Sequence, residues 1–169
     1  MRDAGPEIDV PALVMVIVFM SNMAVSYLDP YRLALPRAVG QTIFVIGLLI
    51  CGYVIAYLKS GFLGGTKPSL DRLVTNGPYG FCRHPLYVGF IVLLLGVDLM
   101  LGSPLGIAFT FLLSLPSAVH RAKVEDKFLR DRFGGLWEEY AGRVGFMLPK
   151  LRVQTRKESK DLVRNGEAR

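Results

Sequence analysis

Charge is missing from most of this sequence. No Lys, Arg, Asp or Glu occurs from Pro11 to Leu28 or from Ala38 to Leu58, and only Asp98 interrupts the run from Leu86 to Val119. A helix needs about 20 predominantly apolar residues to cross a hydrocarbon core, and these runs supply them. A chain of 169 residues, 51% hydrophobic, with a mean hydropathy of +0.38, is too small to bury all three runs in a water-soluble interior. The absence of charge therefore excludes a soluble globular domain.

Cysteine and histidine are also sparse, at two residues each. Cys51 lies within an apolar run and Cys82 beside a polar motif, without disulfide or metal-type spacing. A zinc site built from Cys82, His84 and His120 has no ligand pattern behind it, so no metal centre is expected. The leader MRDAGPEIDV sets Arg2 against Asp3, Glu7 and Asp9. It lacks the positive region of a cleavable signal, and the first apolar run is expected to be retained. No internal repeat is evident.

What is present is an all-α pattern, a polytopic membrane bundle of about four spans. Span one runs from Pro11 to Leu28 and span two from Ala38 to Leu58, joined by a link holding Pro30 and Pro36. A Gly- and Pro-rich polar stretch, Lys59 to Pro85, follows. Leu86 to Val119 is broken near its middle by Gly102, Ser103 and Pro104, which reads as a helical hairpin with arms of about 16 residues, short for perpendicular spans. Asp98 is expected at the far interface, near the hairpin tip. Beyond about Val153 the tail is charged and is expected to be disordered or to lie on headgroups.

Lys and Arg set the orientation. The leader has one, the 29–37 link two, the 59–85 loop four, the tip none, and the region from Arg121 onward thirteen. With four spans, eighteen of these residues share a side with both termini, which the positive-inside rule makes cytoplasmic. The net charge of +6 thus lies beside membrane spans, favouring anionic lipid headgroups over nucleic acid as its partner.

Two polar clusters fall on that side, Leu73 to Gly89 and His120 to Pro149, and the intervening hairpin should return them to one neighbourhood. Taken singly, their residues have ordinary uses. Pro85 suits the first turn of a span. Arg83 and His84 would face the interface, with Tyr79 and Tyr87 in an aromatic belt. Arg121 and Glu125, four apart, would share a helix face as a surface ion pair, and Phe133, Trp137 and Tyr140 would be interfacial anchors.

The combination says more. Leu-Val-Thr-x-Gly-x-Tyr, then Arg-His-Pro-x-Tyr-x-Gly, an apolar hairpin, Arg-x-x-x-Glu-Asp, Phe-Gly and a Tyr resembles the isoprenylcysteine carboxyl methyltransferase family, and in part the related membrane phospholipid methyltransferases. The resemblance covers roughly residues 70 to 149. It implies a cytoplasmic S-adenosylmethionine pocket lined by Leu73, Val74, Tyr79, His84, Pro85 and Tyr87, with Glu125 holding the cofactor from the other side and Arg121 binding the methyl acceptor. Arg121 and Glu125 are the implied catalytic pair. The implied division is residues 1–58 as N-terminal transmembrane helices, 59–150 as a catalytic region ending in a cytoplasmic helical cap, and 151–169 as a basic tail. The chain departs from the family at Asp71-Arg72, where a His is usual, and at Asp126, where Glu is common.

Methyl transfer from a sulfonium depends on positioning, because the cofactor supplies the electrophile. A carboxylate acceptor is already anionic, and Arg121 could pair with it bidentately. An amine acceptor would have to lose a proton, to Glu125 or His84. Both acceptors, lipidic or lipidated, stay open at this stage. So do an NADPH-dependent membrane reductase, which carries a similar Arg-x-Pro-x-Tyr segment, and a non-catalytic scaffold.

Overall fold

The computed structural model describes residues 9–63 and 73–150, with the backbone alone for 60–63. The expectations for Asp71-Arg72 and for the tail from residue 151 lie outside these residues. Among these residues six α-helices follow in order: α1 (Val10–Leu28), α2 (Arg37–Leu63), α3 (Pro85–Leu101), α4 (Pro104–Phe109), α5 (Leu115–Phe133) and α6 (Gly135–Arg143). A π-turn, Thr110–Ser114, joins α4 to α5, so Pro104–Phe133 forms one rod of 30 residues.

Among the described residues, three stretches are long and apolar enough to cross a membrane: Val10–Leu28, Arg37–Lys59 and Pro104–Phe133. The chain is an all-α integral membrane bundle. Helix α3 has 17 residues, so at 1.5 Å each it spans only about 25 Å. The expected hairpin is present, but its arms are unequal. The second continues through α5 into polar sequence, because nothing between Ser114 and Phe133 breaks the helix once Pro116 sits in its first turn.

The hairpin tip is built by local chemistry. Gly102 closes α3 in the left-handed region at φ 63°, where its N–H caps the Asp98 and Leu99 carbonyls. Ser103 then starts α4, its hydroxyl accepting from the Gly106 N–H at 2.8 Å. The 29–36 link folds onto this tip, with Leu33 N–H donating to the Gly102 carbonyl at 2.7 Å.

Helix α2 packs chiefly on α3, through glycine. A Cβ at Gly47 would meet Leu93 N at 2.7 Å, one at Gly96 would meet Phe44 N at 2.5 Å, and one at Gly40 would collide with Met100 N. Glycines seven apart on α2 thus face an antiparallel α3 in constant register, and the two backbones touch. On its other side α3 meets α1 and the α4–α5 rod around Met15, Phe19, Leu94 and Ala118.

Polar side chains pin the far end of this layer. Asp98 is fully buried rather than facing the far interface. It accepts from Ser26 at 2.5 Å and Thr110 at 2.6 Å, while Asn22 donates to Thr110 at 2.8 Å and to the Gly106 carbonyl at 3.2 Å. Hydrocarbon offers no water to these groups, so they turn inward and bind each other across three helices.

Candidate active site

The polar loop before α3 is shaped by its glycine and proline residues. Gly77 adopts φ 62°, and a Cβ there would strike the Tyr57 ring at 2.5 Å, so the Gly77–Gly80 turn sits against the end of α2. Pro85 occupies the first turn of α3, and His84 ends the loop with its side chain 3% exposed.

A second segment holds this loop down. After α6 the chain doubles back, and Arg83 N–H donates to the carbonyls of Gly145 at 2.9 Å and Phe146 at 3.0 Å, with His84 N–H reaching Phe146 at 3.2 Å. Cys82 and Gly145 form a parallel bridge. Tyr140 donates its hydroxyl to the Tyr79 carbonyl at 2.8 Å. Burial pushes the Tyr79 hydroxyl up to about 12, with the charge of Glu125 adding to the shift. Tyr140 is raised further, again chiefly by burial. Trp137 and Tyr140, 3% and 4% exposed, are therefore packing residues rather than the interfacial anchors expected of them.

The α5 face then closes on the loop. His84 Nε2 lies 2.9 Å from Asp126 Oδ1, and Arg83 pairs with the other Asp126 oxygen at 3.3 Å. Glu125 accepts from the Tyr87 hydroxyl at 2.8 Å, while His84 Nδ1 stands 3.9 Å away. His84 is also stacked on Tyr87 at 5.6 Å and meets Phe146 edge-on at 5.1 Å. The guanidinium of Arg83 lies over Trp137 at 5.2 Å and Phe146 at 5.5 Å.

His84, Pro85, Tyr87 and Glu125 are thus brought together as the sequence motif implied, and Tyr79 is tied in through its carbonyl. Leu73 is half-buried and Val74 is 41% exposed; both sit at the start of the same loop. Arg121 does not pair with Glu125 along the helix. It donates to Asp9, the residue that starts α1, at 2.6 Å. Asp126, marked in the sequence only as a departure from the family pattern beside Glu125, makes the 2.9 Å side-chain contact to His84. Asp9 and Phe146 gave no local signal, since both reach the site by long-range packing.

An outward-facing cleft of about 400 Å³, lined by Ser21, Val25, Leu28, Asp29, Pro30 and Leu105 among others, lies at the opposite end of α1 from these groups. Its single charged group is already engaged, since Asp29 accepts from Ser103, Leu105 N–H and Tyr31 N–H. The chemistry-bearing groups gather at the α3–α5 end.

The loop-and-helix cluster falls largely inside a recognised family region. A family model described as phospholipid methyltransferase matches residues 35–135. The chain is 32% identical over 129 residues to a cobalt-zinc-cadmium resistance protein of Cupriavidus metallidurans, covering 75% of this chain and 53% of that protein. It is 42% identical over 79 residues to a probable protein-S-isoprenylcysteine O-methyltransferase of Oryza sativa subsp. indica, covering 46% and 41%. It is 30% identical over 111 residues to the protein-S-isoprenylcysteine O-methyltransferase of Saccharomyces cerevisiae, covering 65% and 44%. The chain spans about half the length of these curated relatives.

Proposed function

The chain belongs to the phospholipid methyltransferase family, and from that premise we propose that it is an integral membrane methyltransferase using S-adenosylmethionine on a lipidic or lipidated acceptor. The observation that carries this reading is the meeting of the Arg-His-Pro turn with α5, through Tyr87–Glu125 at 2.8 Å and His84–Asp126 at 2.9 Å. One segment precedes the hairpin and the other follows it, so their meeting is a tertiary feature.

The residues fit the cofactor. Glu125 keeps its side chain 39% exposed and retains acceptor capacity beyond the Tyr87 bond, which suits a cationic, hydrogen-bonding ligand. Among the described residues, Arg83 Nε and Trp137 Nε1 are buried donors without a hydrogen-bond partner. The Arg83 guanidinium lies over the Trp137 and Phe146 rings, and His84 stacks on Tyr87 and meets Phe146 edge-on. When bound, S-adenosylmethionine supplies an activated methyl group. Glu125 and the loop residues Leu73, Val74, Tyr79, His84, Pro85 and Tyr87 would hold it, and Arg83 and Asp126 would fix His84 in place.

Arg121 directs the acceptor in this reading. A guanidinium that orients a carboxylate needs no general base beside it, because the nucleophile is already ionised. A prenylcysteine-like carboxylate is the acceptor this favours. The catalytic region is taken as 59–150, with residues 1–58 as N-terminal transmembrane helices and the site and both termini on the cytoplasmic side. The 151–169 segment is assigned to anionic headgroups.

Transfer of labelled methyl from S-adenosylmethionine into a lipid extract or a prenylcysteine tests the reading. Wild type is expected to label the acceptor, with Glu125→Ala and Arg121→Ala each losing most of that activity. Full activity in both variants would reject the assigned site.

A further inference from the structure

We propose that Asp9 is a specificity-determining residue: it is the resting counter-ion of Arg121, holding the guanidinium in the place an acceptor carboxylate takes. The proposal rests on the reading of Arg121 as the acceptor-binding residue.

The two oxygens of Asp9 are committed in different directions. Oδ1 accepts from the Ala12 N–H at 3.1 Å and so caps α1, while Oδ2 takes Arg121 Nη2 at 2.6 Å. Asp9 is 46% exposed and Arg121 is 17% exposed. Asp9 therefore grips one nitrogen of the fork. Arg121 Nε, buried, has no hydrogen-bond partner among the described residues. A carboxylate with both oxygens free can engage two guanidinium nitrogens, which is the stronger geometry, and displaces Asp9. A neutral acceptor cannot make that exchange.

Asp9 thus compensates the arginine while the site is idle and selects for anionic acceptors when it is working. Its place on α1 also ties the start of the first span to α5, 112 residues away in sequence.

Asp9→Asn and Asp9→Ser separate the charge from the cap, because Asn and Ser start helices about as well as Asp. Full-length protein in lipid nanodiscs would be treated with phenylglyoxal, an arginine-selective dicarbonyl, and labelling at Arg121 read by mass spectrometry. Both variants are expected to label about two- to five-fold faster than wild type, the range for a partly exposed ion pair. An N-acetylated, S-farnesylated cysteine should protect Arg121, and its methyl ester should not. In methyl transfer to the free acid, KM should fall by a similar factor with kcat unchanged, which loss of a merely structural contact does not produce.

Unchanged labelling in both variants overturns the proposal, as does a rise in KM accompanied by a fall in kcat. If wild type transfers no methyl group to the farnesylcysteine, the carboxylate-acceptor reading fails. The labelling rates then still decide whether Asp9 covers Arg121.

Discussion

His84 meets two adjacent carboxylates, and they have separate uses. Asp126 is bound to both His84 and Arg83 and is 14% exposed, whereas Glu125 accepts from the Tyr87 hydroxyl, stands 3.9 Å from His84 Nδ1 and is 39% exposed. The less exposed acid therefore ties His84 and Arg83 together, and the more open one keeps acceptor capacity for a ligand. Asp126→Asn removes one charge from a partly buried cluster and is expected to lower unfolding stability by about 1.5–3 kcal/mol, measured by denaturant titration in detergent. Glu125→Gln should leave stability within about 0.5 kcal/mol of wild type while weakening S-adenosylmethionine binding roughly tenfold or more by calorimetry. Tyr79 and Tyr140 carry a pH signature. Their hydroxyls titrate above the ordinary value of 10 in the folded protein, so the unfolded chain loses these protons first as pH rises. The stability they contribute is complete below about pH 10 and is lost between 10 and 12 as Tyr79 approaches its folded value. Melting temperature is expected to fall across that window, less steeply in Tyr79→Phe.

At the scale of elements, the α2–α3 contact depends on the absence of side chains. Gly96→Ala would place a Cβ against Phe44 backbone, which cannot move aside as a flexible side chain can, and is expected to cost about 1–3 kcal/mol. Gly52, on α2, has open space where a Cβ would go, so Gly52→Ala should stay within about 0.5 kcal/mol of wild type. Thermal unfolding of the two variants side by side checks the distinction. The apolar runs were legible in the sequence because charge-free length is all that a span requires. The hairpin break was legible because Gly102, Ser103 and Pro104 are turn and cap residues. The inequality of its arms was not, because continuation of α5 beyond the apolar run depends on helix propensity rather than hydropathy. Nor was the inward placement of Asp98, whose partners Ser26 and Thr110 come from two other segments.

Across the whole molecule, one end of the bundle gathers His84, Tyr87, Glu125 and Asp126, and the other carries a buried polar lock. Asp98 lies 14 residues beyond His84, about 20 Å along α3. Asp98→Ala is expected to destabilise the bundle by about 1–3 kcal/mol, by stranding the Ser26 and Thr110 hydroxyls, while leaving S-adenosylmethionine affinity unchanged. Family motifs in the sequence pointed to Tyr87 and Glu125, and the fold sets them in contact. Asp9 and the Gly145–Phe146 strap could not be anticipated, since nothing near them in sequence marks which loop they meet.

The most direct test of a single site shared by the loop and α5 is a double-mutant cycle on S-adenosylmethionine affinity, measured by calorimetry with Tyr87→Phe, Glu125→Gln and the double variant. Side chains 2.8 Å apart around one ligand should be non-additive by at least about 0.5 kcal/mol. Strictly additive losses, or no binding of S-adenosylmethionine by the wild-type protein, would contradict it.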